Sequence, residues 1–186
     1  MDALDLMLTR ESALKLDSPG PSAVELDRMF ASAVRAPDHG RLRPWRFVVI
    51  GETRRAAFGA LMADSLRRRD ASASEAELRR ERDKAFRAPV IVAVAAKVLK
   101  GHKIPEIEQI ASASAAAQTI MLAAPALGYG AVWKTGAPAY DPKVKITLGL
   151  AEDDDIIGFL YIGTRTGGSS PLPRPDPGDF VSVWVG

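Results

Sequence analysis

The chain has no cysteine and only two histidines. That excludes disulfides, thiolate chemistry and any Cys-based zinc or iron–sulfur site. His39 and His102 lie far apart in sequence and no His-x-x-x-His spacing occurs, so no metal site is expected. A dominant charge is also missing: 25 basic residues against 23 acids leave a formal net charge of +2, slight for a pI of 9.0. No global field therefore argues for DNA, RNA or anionic lipid, and any anion preference has to come from local clusters. No run of about 18 apolar residues appears, so nothing is expected to span a membrane. The opening M-D-A-L-D-L-M-L-T-R-E carries acids where a signal peptide carries basic residues, and its apolar run is short. These absences point to a cytoplasmic protein.

What is present suits one compact domain over residues 1–186, with 47% hydrophobic and 26% charged residues. Residues 3–9 read as a short helix, followed by a Pro/Gly-rich turn at 17–22. Ser22 with Glu25 forms a capping-box signature. Leu26, Met29, Phe30, Ala33 and Val34 then fall on one helical face, and the helix ends near Ala36-Pro37. R-F-V-V-I-G (46–51) reads as a buried strand. Residues 52–86, dense in Ala, Arg and Glu, read as one or two exposed helices. A-P-V-I-V-A-V-A-A (88–96) has the continuous apolar character of a strand covered on both faces. Residues 104–128 form a long helix, small-residued and apolar nearly all round in its second half, with Pro125 kinking it or marking its last turn. A strand at 131–135, a helix over 141–150 and a strand over 155–164 follow. The Pro/Gly-rich tail closes in alternating Val-Ser-Val-Trp-Val, a pattern suited to an extended arm docked on its own domain or on a second subunit.

The familiar nucleotide and hydrolase signatures are absent. There is no G-x-x-x-x-G-K-[ST] and no G-x-S-x-G, and G-Y-G-A-V-W lies between a helix and a strand rather than between a strand and a helix. Arg67–Arg69 and Arg79, Arg80 and Arg82 suggest a nucleic-acid patch, yet acids interleave with the second group and no aromatic sits among them. Mixed charge of this kind ordinarily solvates a helix face. The densest local feature is R-A-P-D-H-G-R-L-R-P-W-R-F (35–47), with four arginines, one histidine and one tryptophan in a proline-bracketed turn. His39 there reads either as a general acid or base or as a brace for the turn. Basic and hydroxyl groups recur at element ends: T-R-E-S (9–12), Arg35, and Lys134-Thr135. Guanidinium groups grip phosphate through paired donors, and a serine hydroxyl adds a further contact.

Four ordered stretches together resemble the nitroreductase family, in particular its branch of short NAD(P)H nitroreductases. They are the opening helix with Arg-x-Ser, the R-A-P-D-H…R-P-W-R-F turn, G-Y-G-A-V-W-K-T-G, and G-F-L-Y-I-G-T. The resemblance implies an α+β fold, an α/β/α sandwich around a mainly antiparallel sheet. It also implies FMN bound at a homodimer interface, with a C-terminal arm (164–186) exchanged between subunits. By position, Arg10 and Ser12 would hold the FMN phosphate, with Glu11 contributing backbone contacts. Arg35 and His39 would come from the facing wall, and Trp133, Lys134 and Thr135 would close the pocket. Arg41 and Arg43 stand where the family often carries amides near the flavin pyrimidine edge. Arg165 and Arg174 are further phosphate candidates, and Ala123 to Gly128 matches a nicotinamide-associated segment. The activity implied is transfer of hydride from NADH or NADPH through flavin to a nitroaromatic or quinone. Two alternatives stand beside it: a nucleic-acid-binding module built on the arginine helices, and a related flavin enzyme that dehalogenates or dehydrogenates.

Overall fold

The computed structural model describes residues 2–168 and 173–186. Its first helix, α1 (Ala3–Thr9), starts at an Asp2 cap and buries none of its residues. The chain then runs extended beside the later strand β4, where the Ala13 N–H donates to the Ala131 carbonyl at 2.9 Å. It enters the two-residue strand β1 (Leu16–Asp17). Helix α2 (Ala23–Ala33) begins with the expected capping box: Ser22 accepts from the Glu25 N–H while the Glu25 carboxylate accepts from the Ser22 N–H. Strand β2 (Trp45–Ile50), helices α3 (Arg55–Arg69) and α4 (Glu75–Asp83), and strand β3 (Val90–Ala96) follow. Helix α5 (Glu106–Ala126), strand β4 (Gly130–Lys134), helix α6 (Pro142–Thr147) and strand β5 (Asp155–Arg165) complete the fold.

Every recorded strand pair is antiparallel. β5 is the organising strand. β3 pairs along one of its edges, with Val92 opposite Leu160, and β2 lies beyond β3. On the other edge β4 pairs over Gly130 to Lys134, and β1 continues with Leu16 opposite Arg165. One face of the sheet carries α2 and α5, which pack Met29, Ala33, Ile120 and Ala124 against Val92, Val94, Leu160 and Ile162. The opposite face carries Phe58 and Met62 of α3 and Val144 of α6 against Ile91, Ala93, Phe159 and Tyr161. The result is the α/β/α arrangement that the resemblance implied. Each large apolar side chain buried this way contributes about 1.5–3 kcal/mol.

The expected elements are present, with several differences. β2 is half exposed rather than buried, because it lies at the sheet edge and the side chains on one of its faces meet solvent. The helices of residues 52–86 are two, and α3 is not simply exposed: Phe58, Gly59, Met62, Ala63 and Ser65 are buried. Gly59 admits the backbone of Arg82, which a Cβ would approach to 2.7 Å. Pro125 falls in the last turn of α5, and Gly128 at φ +89° completes the break. α6 is shorter than the expected 141–150. β1 straddles the start of the turn read at 17–22, and two residues are too few to show periodicity. In the tail, a short helical turn at Pro177–Asp179 is the one regular element among the described residues, and Trp184 is 90% exposed. Docking of the tail on its own domain is thus confined to contacts such as the Arg174 guanidinium donating to the Arg10 carbonyl at 2.7 Å.

Gly163 sits where β1 crosses onto β5. A Cβ there would lie 2.5 Å from Pro89 Cδ and 2.9 Å from the Asp17 carbonyl oxygen. Gly163→Ala is expected to lower stability by about 1–3 kcal/mol through forced displacement of β1, read as a lowered urea midpoint with unchanged m-value.

Candidate functional site

Three concavities adjoin along β4 and the segment leading into β1. The first, about 530 Å3, is lined by Arg10, Glu11, Arg165 and Arg174, with Met121, Pro125 and Tyr129 from the end of α5. Arg10 is placed there because α1 stops at Thr9, and Arg165 because it ends β5 opposite Leu16. Four separate stretches of chain thus converge: residues 6–13, residues 121–131, Arg165 and Arg174. Arg165 pairs directly with Glu11. Glu11 is therefore an internal anion inside a cationic cluster, not a solvent-pointing side chain.

The second concavity, about 500 Å3, is lined by Ser12, Lys15, Phe86, Arg87, Val132 and Lys134. Ala13, which lines both, is the hinge between them. Each volume lies within the ~300–1,000 Å3 range of small-molecule sites. The third, about 270 Å3, holds Lys134 and Thr135 with Arg69, Glu81, Lys84, Arg87 and a floor of Phe159 and Tyr161. From Ala131, level with Ala13, to Lys134 is about 10 Å of strand. Ser12, Lys134 and Thr135 therefore line one trough on the α3/α6 face, and the Arg10 cavity, on the α5 face, meets it at Ala13.

Trp133 does not share it. Strand alternation turns its side chain to the α5 face, where the indole Nε1 donates to the Ile157 carbonyl at 3.3 Å beside Ile110 and Ser114. Gly158 is the position that admits the ring: a Cβ would stand 2.1 Å from Nε1.

Arg35, His39, Arg41 and Arg43 lie elsewhere in the chain's own fold. α2 and α5 run antiparallel, fixed at one end by the Tyr129 hydroxyl donating to Glu25 at 2.9 Å and at the other by His39 Nδ1 and Glu108 Oε2 at 2.6 Å. Glu108 and Pro125 are thus separated by roughly 25 Å along α5. The Arg10 cavity is at the Pro125 end and the His39 turn at the Glu108 end. His39 is exposed and braces the turn against α5. Within the turn, Gly40, Arg41 and Arg43 have φ of 72°, 57° and 50°. Two arginines in the left-handed region are uncommon. The Asp38 carboxylate fixes them by accepting the Leu42 and Arg43 N–H groups at 3.1 and 2.8 Å. Ala123 and Gly128 sit in and after the last turn of α5, and their neighbour Pro125 lines the Arg10 cavity.

Sequence reasoning did not single out Lys15 or Arg87. Lys15 lies three residues past Ser12 in a segment without regular periodicity, and Arg87 merely precedes a buried strand. No local signal marks either. The arginine helices spend part of their charge in ion pairs. Arg67 approaches Asp64 and Glu75, Arg82 approaches Glu75, and Arg68 donates twice to Asp141, at 3.1 and 2.7 Å. Among the described residues no helix is long and apolar enough to cross a membrane.

This geometry can be compared with known proteins. A model of the Nitroreductase family matches residues 7–164. "Putative NAD(P)H nitroreductase YdjA" of Escherichia coli K12 is 38% identical over 185 residues, covering 99% of this chain and all of the relative. A nitroreductase-like protein from Bacillus cereus superposes with a TM-score of 0.82 at 22% identity, over 100% of this chain and 97% of the other. A nitroreductase from Desulfovibrio desulfuricans, solved in complex with FMN, gives 0.76 at 21% identity, over 97% and 95%. The chain belongs to the nitroreductase family.

Burial alone would raise the Asp141 carboxyl. The Ser65 hydroxyl, the Arg68 guanidinium and the Lys143 N–H outweigh that and hold it below the usual carboxylate range. A carboxyl depressed on folding stabilises above its unfolded pKa of about 3.9 and loses that contribution as pH falls through its lower folded value. Arg68→Met is therefore expected to cost about 1–2 kcal/mol at pH 7, with the difference from wild type narrowing below about pH 4 in urea titrations.

Proposed function

We propose that the chain is an FMN-dependent oxidoreductase working on NADH or NADPH and an electron-poor acceptor such as a nitroaromatic or quinone. The observation that carries this reading is the cationic cavity of Arg10, Arg165 and Arg174, which adjoins the trough of Ser12, Lys15 and Lys134 at Ala13. A guanidinium cluster beside a serine hydroxyl suits a phosphate monoester. The elongated trough suits a planar group tethered to that phosphate. Family membership and the FMN bound in the Desulfovibrio neighbour support the same assignment. Arg10, Ser12 and Arg165 hold the phosphate, with Arg174 brought over from the tail. Glu11 occupies Arg165 and tempers the grip. Lys134 and Thr135 lie along the ring, and Lys134 offers a cation to negative charge developing there. The cofactor, when bound, supplies hydride acceptance from the nicotinamide and onward electron delivery. Positioning and electrostatics are the protein's part.

The second wall of the site comes from another copy of the chain. Arg35, His39, Arg41 and Arg43 lie at the opposite end of α5 from Arg10, so they reach a flavin held by Arg10 only across a subunit boundary. The apolar tail, with Phe180, Val181, Val183 and Trp184 exposed, and the unburied α1 supply surface for that contact. In this reading residues 164–186 form the arm exchanged in a homodimer.

Arg10→Ala is expected to weaken FMN binding about 10- to 100-fold, the loss of one charged hydrogen-bonding partner. Glu11→Gln, which releases Arg165, tightens it by a few-fold. Fluorescence titration of the stripped protein reads both, and unchanged affinity in Arg10→Ala removes the assignment. Mixed dimers of Arg10→Ala with Arg35→Ala regain one intact site per dimer; co-refolded mixtures no more active than either parent would place both residues on one subunit's flavin.

A further inference from the structure

The third concavity meets the flavin trough at Lys134 and Thr135, and beyond them it has a character of its own. Its floor is apolar and buried, with Met62, Phe159 and Tyr161 each no more than 4% exposed. Its rim is cationic: Arg69, Lys84, Arg87 and Lys134 face a single acid, Glu81. Lys84 contacts Glu81 directly. Arg69, Arg87 and Lys134 form no ion pair among the described residues. Three cations without an ion pair therefore surround an apolar cleft of about 270 Å3, room for one substituted ring and too little for a polymer. Burial, with a smaller push from Glu81 and against the opposing pull of Arg87, raises the Tyr161 phenol to about 12, so this wall stays neutral. Arg87 and Lys134 also line the Ser12–Lys15 trough, so the cleft opens beside it.

We propose that this cleft binds a single-ring aromatic acid, with its carboxylate among Arg69, Arg87 and Lys134 and its ring on Phe159 and Met62. The trough's acceptors are accordingly acidic aromatics rather than neutral ones. Burial of the ring supplies affinity, and a charge-assisted contact to guanidinium supplies the selection against an uncharged isostere. Only the word acceptor rests on the flavin reading; binding of the acid does not.

The probes are 4-nitrobenzoate and its neutral counterpart 4-nitrobenzamide, added to the purified full-length protein. Ligand-observed NMR reads binding, and visible absorption separately reads flavin content. The acid is expected to bind about tenfold more tightly than the amide, the preference shrinking with added salt. Arg69→Gln should reduce it about fivefold, and Arg69→Lys should restore most of it. If Arg69→Gln fails to fold, Arg87→Gln is expected to give the same loss. Equal affinity for acid and amide overturns the proposal, as does a preference that folded Arg69→Gln and Arg87→Gln both retain. A colourless protein that refuses added FMN yet still selects the acid keeps this site and removes the flavin reading. A flavin-loaded protein that treats the two alike does the reverse.

Discussion

The pairing of β5 with strands on both its edges is the constraint on which the rest depends. Eleven residues long, it carries β3 along one side and β4 followed by β1 along the other. Leu160 and Ile162 feed the α2/α5 core, while Phe159 and Tyr161 feed the α3/α6 core. The same strand ends at Arg165, opposite Leu16, and so delivers a guanidinium to the segment that begins at Arg10. Glycines make this close assembly possible. Gly130, Gly158 and Gly163 each leave room for a neighbour that a Cβ would strike. Backbone pairing thus sets the floor of the trough and the spacing of its cations together.

Electrostatics in this chain are local. The overall charge is nearly balanced, and the arginines of α3 and α4 are partly consumed by Asp64, Glu75 and Asp141. Guanidinium groups left without carboxylate partners are therefore informative, since an unpaired cation beside an apolar cleft is a place for an anion to go. Glu11 shows the opposite device. An acid set into the cationic cluster keeps Arg165 partnered, so any anion entering the cavity has to compete with it.

Much of the fold was legible because its elements are periodic and bounded. Ser22 with Glu25, the apolar face of α2, the uninterrupted run of β3 and the Pro125–Gly128 stop each act within a few residues. The meeting of Arg10 with Arg165 left no local signal, because the two are distant in sequence. Trp133 shows the limit of carrying roles by position. It neighbours Lys134 in the chain, yet strand alternation sends it to the other face. The tail shows another limit: its Val-Ser-Val-Trp-Val pattern promises a strand, but a strand needs a partner, and among the described residues the tail pairs with no edge.

The sequence by itself determined the helices and strands, the absence of thiol chemistry and the placing of cations at element ends, because these depend on local backbone preference and side-chain type. Only the tertiary structure decided which cations meet. Arg10, Glu11 and Arg165 converge because β5 is long enough to reach back to β1. Arg35 and His39 are held apart from them because α5 separates the two ends of the fold by the length of a helix.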